Sequence, residues 1–204
     1  MRAIDRESRR VAALAAVMLS LAACAGPAAT RPAGENPLQR AVQSLLARQA
    51  EGQLGAIRGV GSVKASVEVF LANGEVALIP STPQLEQDMR RFHRRWLEGR
   101  RQPLPFREAN ETFRLLTVQR AGLAKLGGQS LLRFAKTDAQ GRFTFEQVPA
   151  GRWLAVTDIS GPVSALLWAV PVEVMAGQTT RLSLSDASVL LEARKEKPEE
   201  TIHW

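Results

Sequence analysis

The chain has 204 residues, a formal net charge of +7 at pH 7 and 45% hydrophobic residues. This length is sufficient for one domain with an apolar core of its own. The sequence contains one cysteine, which excludes internal disulfide bonds, so we expect the apolar core to stabilise the fold.

The first 23 residues have the composition of an export signal. Four arginines lie in Met1–Arg10, and the run Val11–Ala23 that follows carries no charge. This run is shorter than the roughly 20 apolar residues that cross a bilayer. A basic start before a short apolar run is typical of a secretory signal peptide. We therefore predict a signal peptide over residues 1–23. No later segment is long and apolar enough to indicate a membrane span.

The end of this segment contains the motif LAAC, Leu21–Cys24. It resembles the lipobox of bacterial lipoproteins, which implies that the signal is removed before Cys24 and that the cysteine sulfur then carries a diacylglycerol. Cys24 could instead be an ordinary small residue, but it is the only cysteine and occupies the position that the lipobox requires. With Ala25 and Gly26 after it, the resemblance implies an anchor in the outer membrane of a Gram-negative cell. We expect the domain to face the periplasm, with the cell surface as the alternative.

A tether and a helix follow this motif. Residues 24–36 are rich in Ala, Gly and Pro, which indicates a flexible linker. Asn36 before Pro37 is a typical helix start. Apolar residues then recur at helical spacing, and we predict a helix from Pro37 to about Gln53.

After Gly59 the hydrophobic period changes from helical to alternating. The alternation from Val63 to Leu71 predicts a half-buried strand. Asn73-Gly74 comes after it and is a strong signal for a tight hairpin. We therefore predict that Glu75–Pro80 is the returning strand.

Helical spacing returns after this strand. Four apolar residues lie on one face of the predicted helix, Leu85, Met89, Phe92 and Trp96, and four basic residues lie opposite, Arg90, Arg91, Arg94 and Arg95. The arginines either form a solvated face, with Glu86, Asp88 and Glu98 as local partners, or bind a partner through bidentate guanidinium bonds. Residues 111–125 are compatible with a second helix, so we expect a helical insertion over about residues 81–128.

The rest of the chain predicts strands separated by turns. The predicted strands are Leu131–Thr137, Arg142–Gln147, Trp153–Ile159, Ala165–Val174 and Gln178–Leu184. Asp138 can bond to the backbone that follows it and Gly141 can adopt a left-handed conformation, so the chain reverses there. Pro149 and Gly151 provide the next reversal, and Thr137–Trp153 is interpreted as a hairpin that has no role in catalysis.

This segment resembles the carboxypeptidase regulatory-like family of small transthyretin-like β-sandwiches. The residues that carry the resemblance are Thr137, Asp138, Gly141, Phe143, Phe145, Pro149, Gly151 and Trp153, with Gly177 and Leu182 in the closing strand and Gly61 with Val63 to Leu78 in the opening strands. The resemblance implies an antiparallel, Ig-like β-sandwich that acts as a rigid spacer or binding platform, since these modules are the non-catalytic companions of peptidases. Residues 81–128 stand where the family has a short connection.

The C-terminal residues are charged, and we expect Lys195 to Trp204 to be at least partly unfolded. The predicted organisation is a signal peptide (1–23), a tether (24–36), an N-terminal helix (37–58), a β-sandwich with a helical insertion (59–192) and a charged tail (193–204).

No motif predicts catalysis, a metal site or a cofactor. His93 lies among arginines and His203 in the charged tail, and neither belongs to a zinc-binding pair. Nucleic acid is not an expected partner, because an exported chain meets little of it and the arginines lack interleaved aromatic residues. We predict a non-catalytic envelope lipoprotein whose β-sandwich binds a protein or an anionic envelope component. A hydrolase of envelope glycan or peptide is the alternative.

Overall fold

The computed structural model describes residues 36–64, 68–197 and 200. The signal peptide, Cys24 and the tether up to residue 35 lie outside these residues, so the lipoprotein assignment stays a prediction. In the described part of the chain, ten strands and three α-helices form a β-sandwich with helices, as predicted. The sheets are not purely antiparallel as expected, because two of the strand pairs are parallel. No helix in this part is both long and apolar enough to cross a membrane.

Two sheets form the sandwich. The elements are α1 (Pro37–Ala50), β1 (Leu54–Lys64), β2 (Glu68–Phe70), β3 (Glu75–Pro80), α2 (Pro83–Glu98), β4 (Leu104–Pro105), α3 (Phe106–Lys125), β5 (Arg133–Lys136), β6 (Arg142–Pro149), β7 (Gly151–Ser160), β8 (Ser164–Val174), β9 (Thr179–Leu184) and β10 (Val189–Arg194). In the four-stranded sheet, β1 lies between β6 and β9, and β2 pairs with the end of β1. The six-stranded sheet has the order β4-β10-β8-β7-β3-β5.

The six-stranded sheet forms the middle layer. Consecutive residues 76–80 of β3 are all buried, so both faces of this strand are covered. In β8, Trp168 donates a hydrogen bond to the carbonyl oxygen of Ser185, the residue after β9 (3.0 Å). The next residue of β8, Ala169, lines a small cavity with Met89 of α2. Because successive residues of a strand point to opposite faces, α2 lies on the side away from the four-stranded sheet.

One core connects the sheets and the helices. The described residues form one compact unit, and the buried residues of its core all lie between Leu38 and Ala193. A chain that begins at Asn36 therefore contains every core residue that the structure describes, and we expect it to fold by itself.

The segment Thr137–Trp153 has the predicted turns but is not a hairpin. Asp138 Oδ1 accepts hydrogen bonds from two backbone amides, two and four residues later, at 2.9 and 2.8 Å. Gly141 is left-handed with φ 70°, and Phe143 and Phe145 are buried together. However, β5 and β7 belong to the six-stranded sheet and β6 to the four-stranded sheet, so each turn carries the chain between sheets. Turn chemistry fixes where the chain reverses, and not which strand it then pairs with.

The predicted strand from Val63 to Leu71 is also divided. β1 and β2 pair antiparallel, with Ser62 opposite Phe70, and residues 65–67 between them lie outside the described residues. The turn at Asn73 is present, with φ 57°, but β2 and β3 lie in different sheets. The expected Asn-Gly hairpin is therefore wrong, because this turn is another connection between the sheets.

The N-terminal helix is shorter than predicted and the first strand begins earlier. α1 ends at Ala50, Gly52 reverses the chain with φ 68°, and β1 begins at Leu54, before the predicted boundary at residue 59. Glycines conceal the strand pattern here because they have no side chain to alternate. One of them is required by packing, since a Cβ at Gly59 would lie 2.1 Å from the ring of Phe143.

The predicted strands end at Leu184, but β10 follows them. It lies inside the six-stranded sheet, between β8 and β4, and Leu191 and Ala193 are fully buried. The boundary of the tail at residue 193 therefore falls inside a strand. The charges of Glu192 and Arg194 give this segment the composition of a tail, although they alternate with residues that face the core.

The insertion is helical, as predicted, and it also completes the sheet. α2 and α3 both pack on β10. Between them, β4 adds a short parallel edge strand, with Leu104 opposite Ala193. The helical insertion and the C-terminal strand therefore support each other.

Candidate partner-binding surface

Helix α2 carries the predicted arginines and is fixed at its first turn. Thr82 Oγ1 accepts a hydrogen bond from the amide of Leu85 (3.1 Å), and Pro83 occupies the first helical turn. The apolar face is buried as predicted, with Leu85, Met89, Phe92 and Trp96 each at most 6% exposed. This packing fixes the rotation of the helix, so its opposite face points to solvent.

A buried carboxylate joins α2 to the sheet beneath it. The side chain of Glu86 is 2% exposed, and its Oε1 accepts a hydrogen bond from the hydroxyl of Ser81 (3.0 Å). Its Oε2 accepts one from Arg152 of β7 (2.5 Å) and lies 3.5 Å from Nη1 of Arg90. Spacing predicts Glu86 as a partner of Arg90, but its contact with β7 depends on the tertiary fold.

The four predicted arginines lie together on the exposed side of α2. We call this set, Arg90, Arg91, Arg94 and Arg95, the helix surface. Arg91 pairs with Asp88 (3.3 Å), and Arg95 pairs with Glu108 of α3 (3.2 Å). Within the described residues Arg94 has no ion-pair partner. Three of the four charges therefore have an acidic neighbour, and one is open to a ligand.

Two further arginines follow the end of α2. Arg100 and Arg101 both have left-handed backbones, with φ 56° and 58°, a conformation that non-glycine residues adopt rarely. The guanidinium of Arg101 lies 5.8 Å from the ring centroid of Trp96, within the range of a cation–π contact. These residues extend the basic region past the C-terminal end of the helix, where positive charge is favourable.

A small cavity of about 180 Å³ between α2 and the six-stranded sheet bears on the hydrolase alternative. It contains Glu86 and His93, whose Nδ1 lies 3.4 Å from the carbonyl oxygen of Leu190. Both carboxylate oxygens of Glu86 already accept hydrogen bonds, which indicates a structural role. Among the described residues, no group of three or more His, Cys, Asp or Glu side chains could hold a metal ion. Cys24 and His203 lie outside these residues.

A second basic region lies on the outer face of the four-stranded sheet, and the sequence does not single it out. We call Arg58, Val60, Phe70, Arg142 and Arg181 the sheet surface. Its arginines lie on three different strands, and the register places Arg58 directly opposite Arg181. Strand alternation shows that each arginine faces solvent, but only the pairing of the strands shows that they are neighbours.

Comparison with protein-family models finds no match, and comparison with curated proteins finds none either. Among solved structures, the chain is similar to a protein from Pseudomonas aeruginosa whose suggested role is carbohydrate binding. The two chains are 20% identical, the alignment covers 65% of this chain and 90% of that chain, and the TM-score is 0.37. A likeness at this level carries no functional argument, so the two surfaces are interpreted from their own chemistry.

Proposed function

We propose that the protein is a non-catalytic lipoprotein of the cell envelope that is anchored to the outer membrane through Cys24. Its β-sandwich presents the helix surface to an acidic protein or another anionic component of the envelope. The lipobox resemblance of Leu21–Cys24 supports the location, and the resemblance of Thr137–Trp153 to non-catalytic modules supports the binding role. The observation that carries the binding role is the placement of four arginines on one exposed face of a helix whose other face is buried.

The helix surface is prepared for binding because its backbone is already ordered. The Thr82 cap, the buried apolar face and the bond between Glu86 and Arg152 fix α2 before a partner arrives. A partner then loses less free energy to ordering the surface that it binds.

The ion pairs on this surface do not block it. Arg91 and Arg95 are 66% and 62% exposed at their side chains, and exposed pairs of this kind contribute only about 0–1 kcal/mol. A carboxylate cluster or a phosphate that forms bidentate bonds can displace Asp88 or Glu108. At Arg94 a ligand has no acidic side chain of the described residues to displace.

The binding role is tested by replacing all four arginines with glutamine in the full chain. Crosslinking and pull-down from envelope fractions should recover an acidic partner with the wild type, and recovery should fall as salt rises because exposed charges are screened. The quadruple variant should lose the partner. The Tm should change little, because each exposed charge contributes little to stability.

The matched control is Arg107→Gln with Arg114→Gln, which removes charge from exposed positions on α3. Recovery of the partner should survive this change. If the quadruple variant keeps its partner at wild-type strength, the arginines are only a solvated face.

The anchor is tested separately with Cys24→Ser. The variant should leave the membrane pellet for the soluble periplasmic fraction after a high-salt wash, since it cannot carry the lipid. Continued sedimentation with membranes after that wash would contradict the lipid anchor. It would not bear on binding by the helix surface.

A further inference from the structure

The sheet surface places two positive charges side by side. Arg58 of β1 and Arg181 of β9 are register partners on parallel strands, which lie about 4.8 Å apart. Both side chains are exposed, and neither has an ion-pair partner within the described residues. Like charges directly opposite each other destabilise a sheet. A bound anion would remove this repulsion.

The groups around this pair add to its affinity for an anion. On its other side Arg58 is the register partner of Thr144, an exposed residue whose hydroxyl can donate. Arg142 lies one row further along, opposite Val60, and its pair with Asp138 is long at 3.8 Å and exposed. The sheet surface therefore has a positive electrostatic potential that attracts a negatively charged ligand.

The donor pattern fits the phosphate group of a phospholipid. The two non-bridging oxygens of this group share its negative charge and can accept hydrogen bonds from two guanidiniums at once. The register places Arg58 and Arg181 side by side on one exposed face. One phosphate group can therefore bind between the two arginines.

The shape of the surface favours a membrane over a small molecule. The depression beside the two arginines, about 510 Å³, lies on the open face of a sheet, whereas small-molecule sites enclose their ligands. Val60 and Phe70 on the same face are 38% and 40% exposed. Basic residues beside exposed apolar ones are the combination that binds the headgroup region of anionic membranes.

We propose that the sheet surface docks on a membrane through the phosphates of anionic phospholipids, with Arg58 and Arg181 as the principal contacts. This inference does not depend on the proposed function, which concerns Cys24 and the helix surface. The two fit together, since α2 lies on the far side of the six-stranded sheet from the four-stranded sheet. A domain docked in this way turns the helix surface away from the bilayer.

The test uses the chain from residue 36 to 204, which contains all core residues of the described part of the chain and lacks Cys24. Wild-type chain should sediment with vesicles of equal parts phosphatidylglycerol and phosphatidylcholine at low salt, and not with phosphatidylcholine alone. Arg58→Gln with Arg181→Gln should lower the partition coefficient about 25-fold, from roughly fivefold for each arginine near an anionic surface. Arg107→Gln with Arg114→Gln removes the same charge from α3 and should change it little.

Three outcomes would overturn the proposal. Equal loss of binding in both double variants would show attraction by net charge alone. Release of the protein by inorganic phosphate, at the phosphate concentration of the vesicles, would show a site for free phosphate. Binding to soluble polyphosphate without binding to vesicles would show a site for a soluble polyanion. Each outcome leaves the anchor and the helix surface to be decided by their own experiments.

Discussion

The helix surface and the sheet surface are both basic, but their arginines are held in different ways. On α2, three of four arginines have an acidic side chain within 3.5 Å. On the four-stranded sheet, Arg58 and Arg181 face each other, and the described residues offer neither an acidic partner. The helix carries more arginines, yet most of its charge is balanced before a ligand arrives. An anion at the sheet surface would relieve repulsion, whereas an anion at the helix surface would exchange with acidic side chains that are already in place.

The two surfaces also differ in what supports them. α2 is attached by apolar side chains and by the contact of Glu86 with Arg152, so the helix surface depends on packing. The sheet surface stands on β1, which is paired with β6 on one side and β9 on the other. Substitutions beneath the two surfaces should therefore differ in their effects.

The largest difference in the free energy of unfolding is expected between substitutions of two phenylalanines, one beneath the helix surface and one on the sheet surface. Phe92→Ala removes a ring that is 6% exposed under the helix surface and should lower the free energy of unfolding by about 3–4 kcal/mol. Phe70→Ala removes a ring that is 40% exposed on the sheet surface and should change it by only about 0.5 kcal/mol. Urea unfolding monitored by circular dichroism measures both. Similar losses would mean that α2 is not packed as described.

A smaller loss is expected from Gly59→Ala, beneath the sheet surface. The new methyl group would lie 2.1 Å from the ring of Phe143, and overpacking of this kind costs about 1–3 kcal/mol. Phe143→Leu in the same chain should recover part of the loss, because the two positions share one space. Urea unfolding of the two single variants and the double variant gives the coupling. Strictly additive losses would contradict the contact.

Much of the fold can be predicted from local sequence patterns. The predictions that are wrong share one physical origin. The caps, turn residues and amphipathic periods identify α2 and most strands of residues 131–184. They do not identify the partner of each strand, because a turn at Asn73 or Gly141 can lead into the same sheet or the opposite one. The hairpin interpretations are wrong for this reason. β10 is absent from the predicted strands because charged residues alternate with its core residues.

The same limit of prediction from sequence applies to the two basic surfaces. The arginines of the helix surface are close in sequence, so a helical period is enough to place them together. Arg58, Arg142 and Arg181 become neighbours only through strand pairing across two edges of β1. Long-range register depends on the whole fold, and a local pattern does not contain it.

The attachment of the helix surface is tested by Glu86→Gln. Loss of the buried negative charge weakens the bond to Arg152, and the free energy of unfolding should fall by about 1–2 kcal/mol. The loss of stability is small because the side chain of Arg152 is 56% exposed and water replaces part of the bond. A double-mutant cycle with Arg152→Gln should show coupling in thermal unfolding. No coupling would mean that the pair does not hold α2.

The smallest effect, and the most specific to the sheet surface, is expected for Arg181→Gln. This change removes the positive charge opposite Arg58, so stability should rise by about 0.2–0.5 kcal/mol at low ionic strength. The gain should shrink as salt is added, because exposed charges are screened. Arg114→Gln on α3 is the matched control, and its effect should be near zero. Thermal unfolding at two salt concentrations measures all of these changes without any ligand.

The sign of the change in stability in Arg181→Gln shows whether repulsion between Arg58 and Arg181 destabilises the protein when no ligand is bound. A loss of stability would show that Arg181 supports the fold, and the arrangement would then need no ligand to explain it. A gain that disappears in salt would show that repulsion between Arg58 and Arg181 persists in the folded chain. Vesicles that contain phosphatidylglycerol should then narrow the difference in stability between wild type and variant, because the anionic lipid screens the pair that the substitution removes.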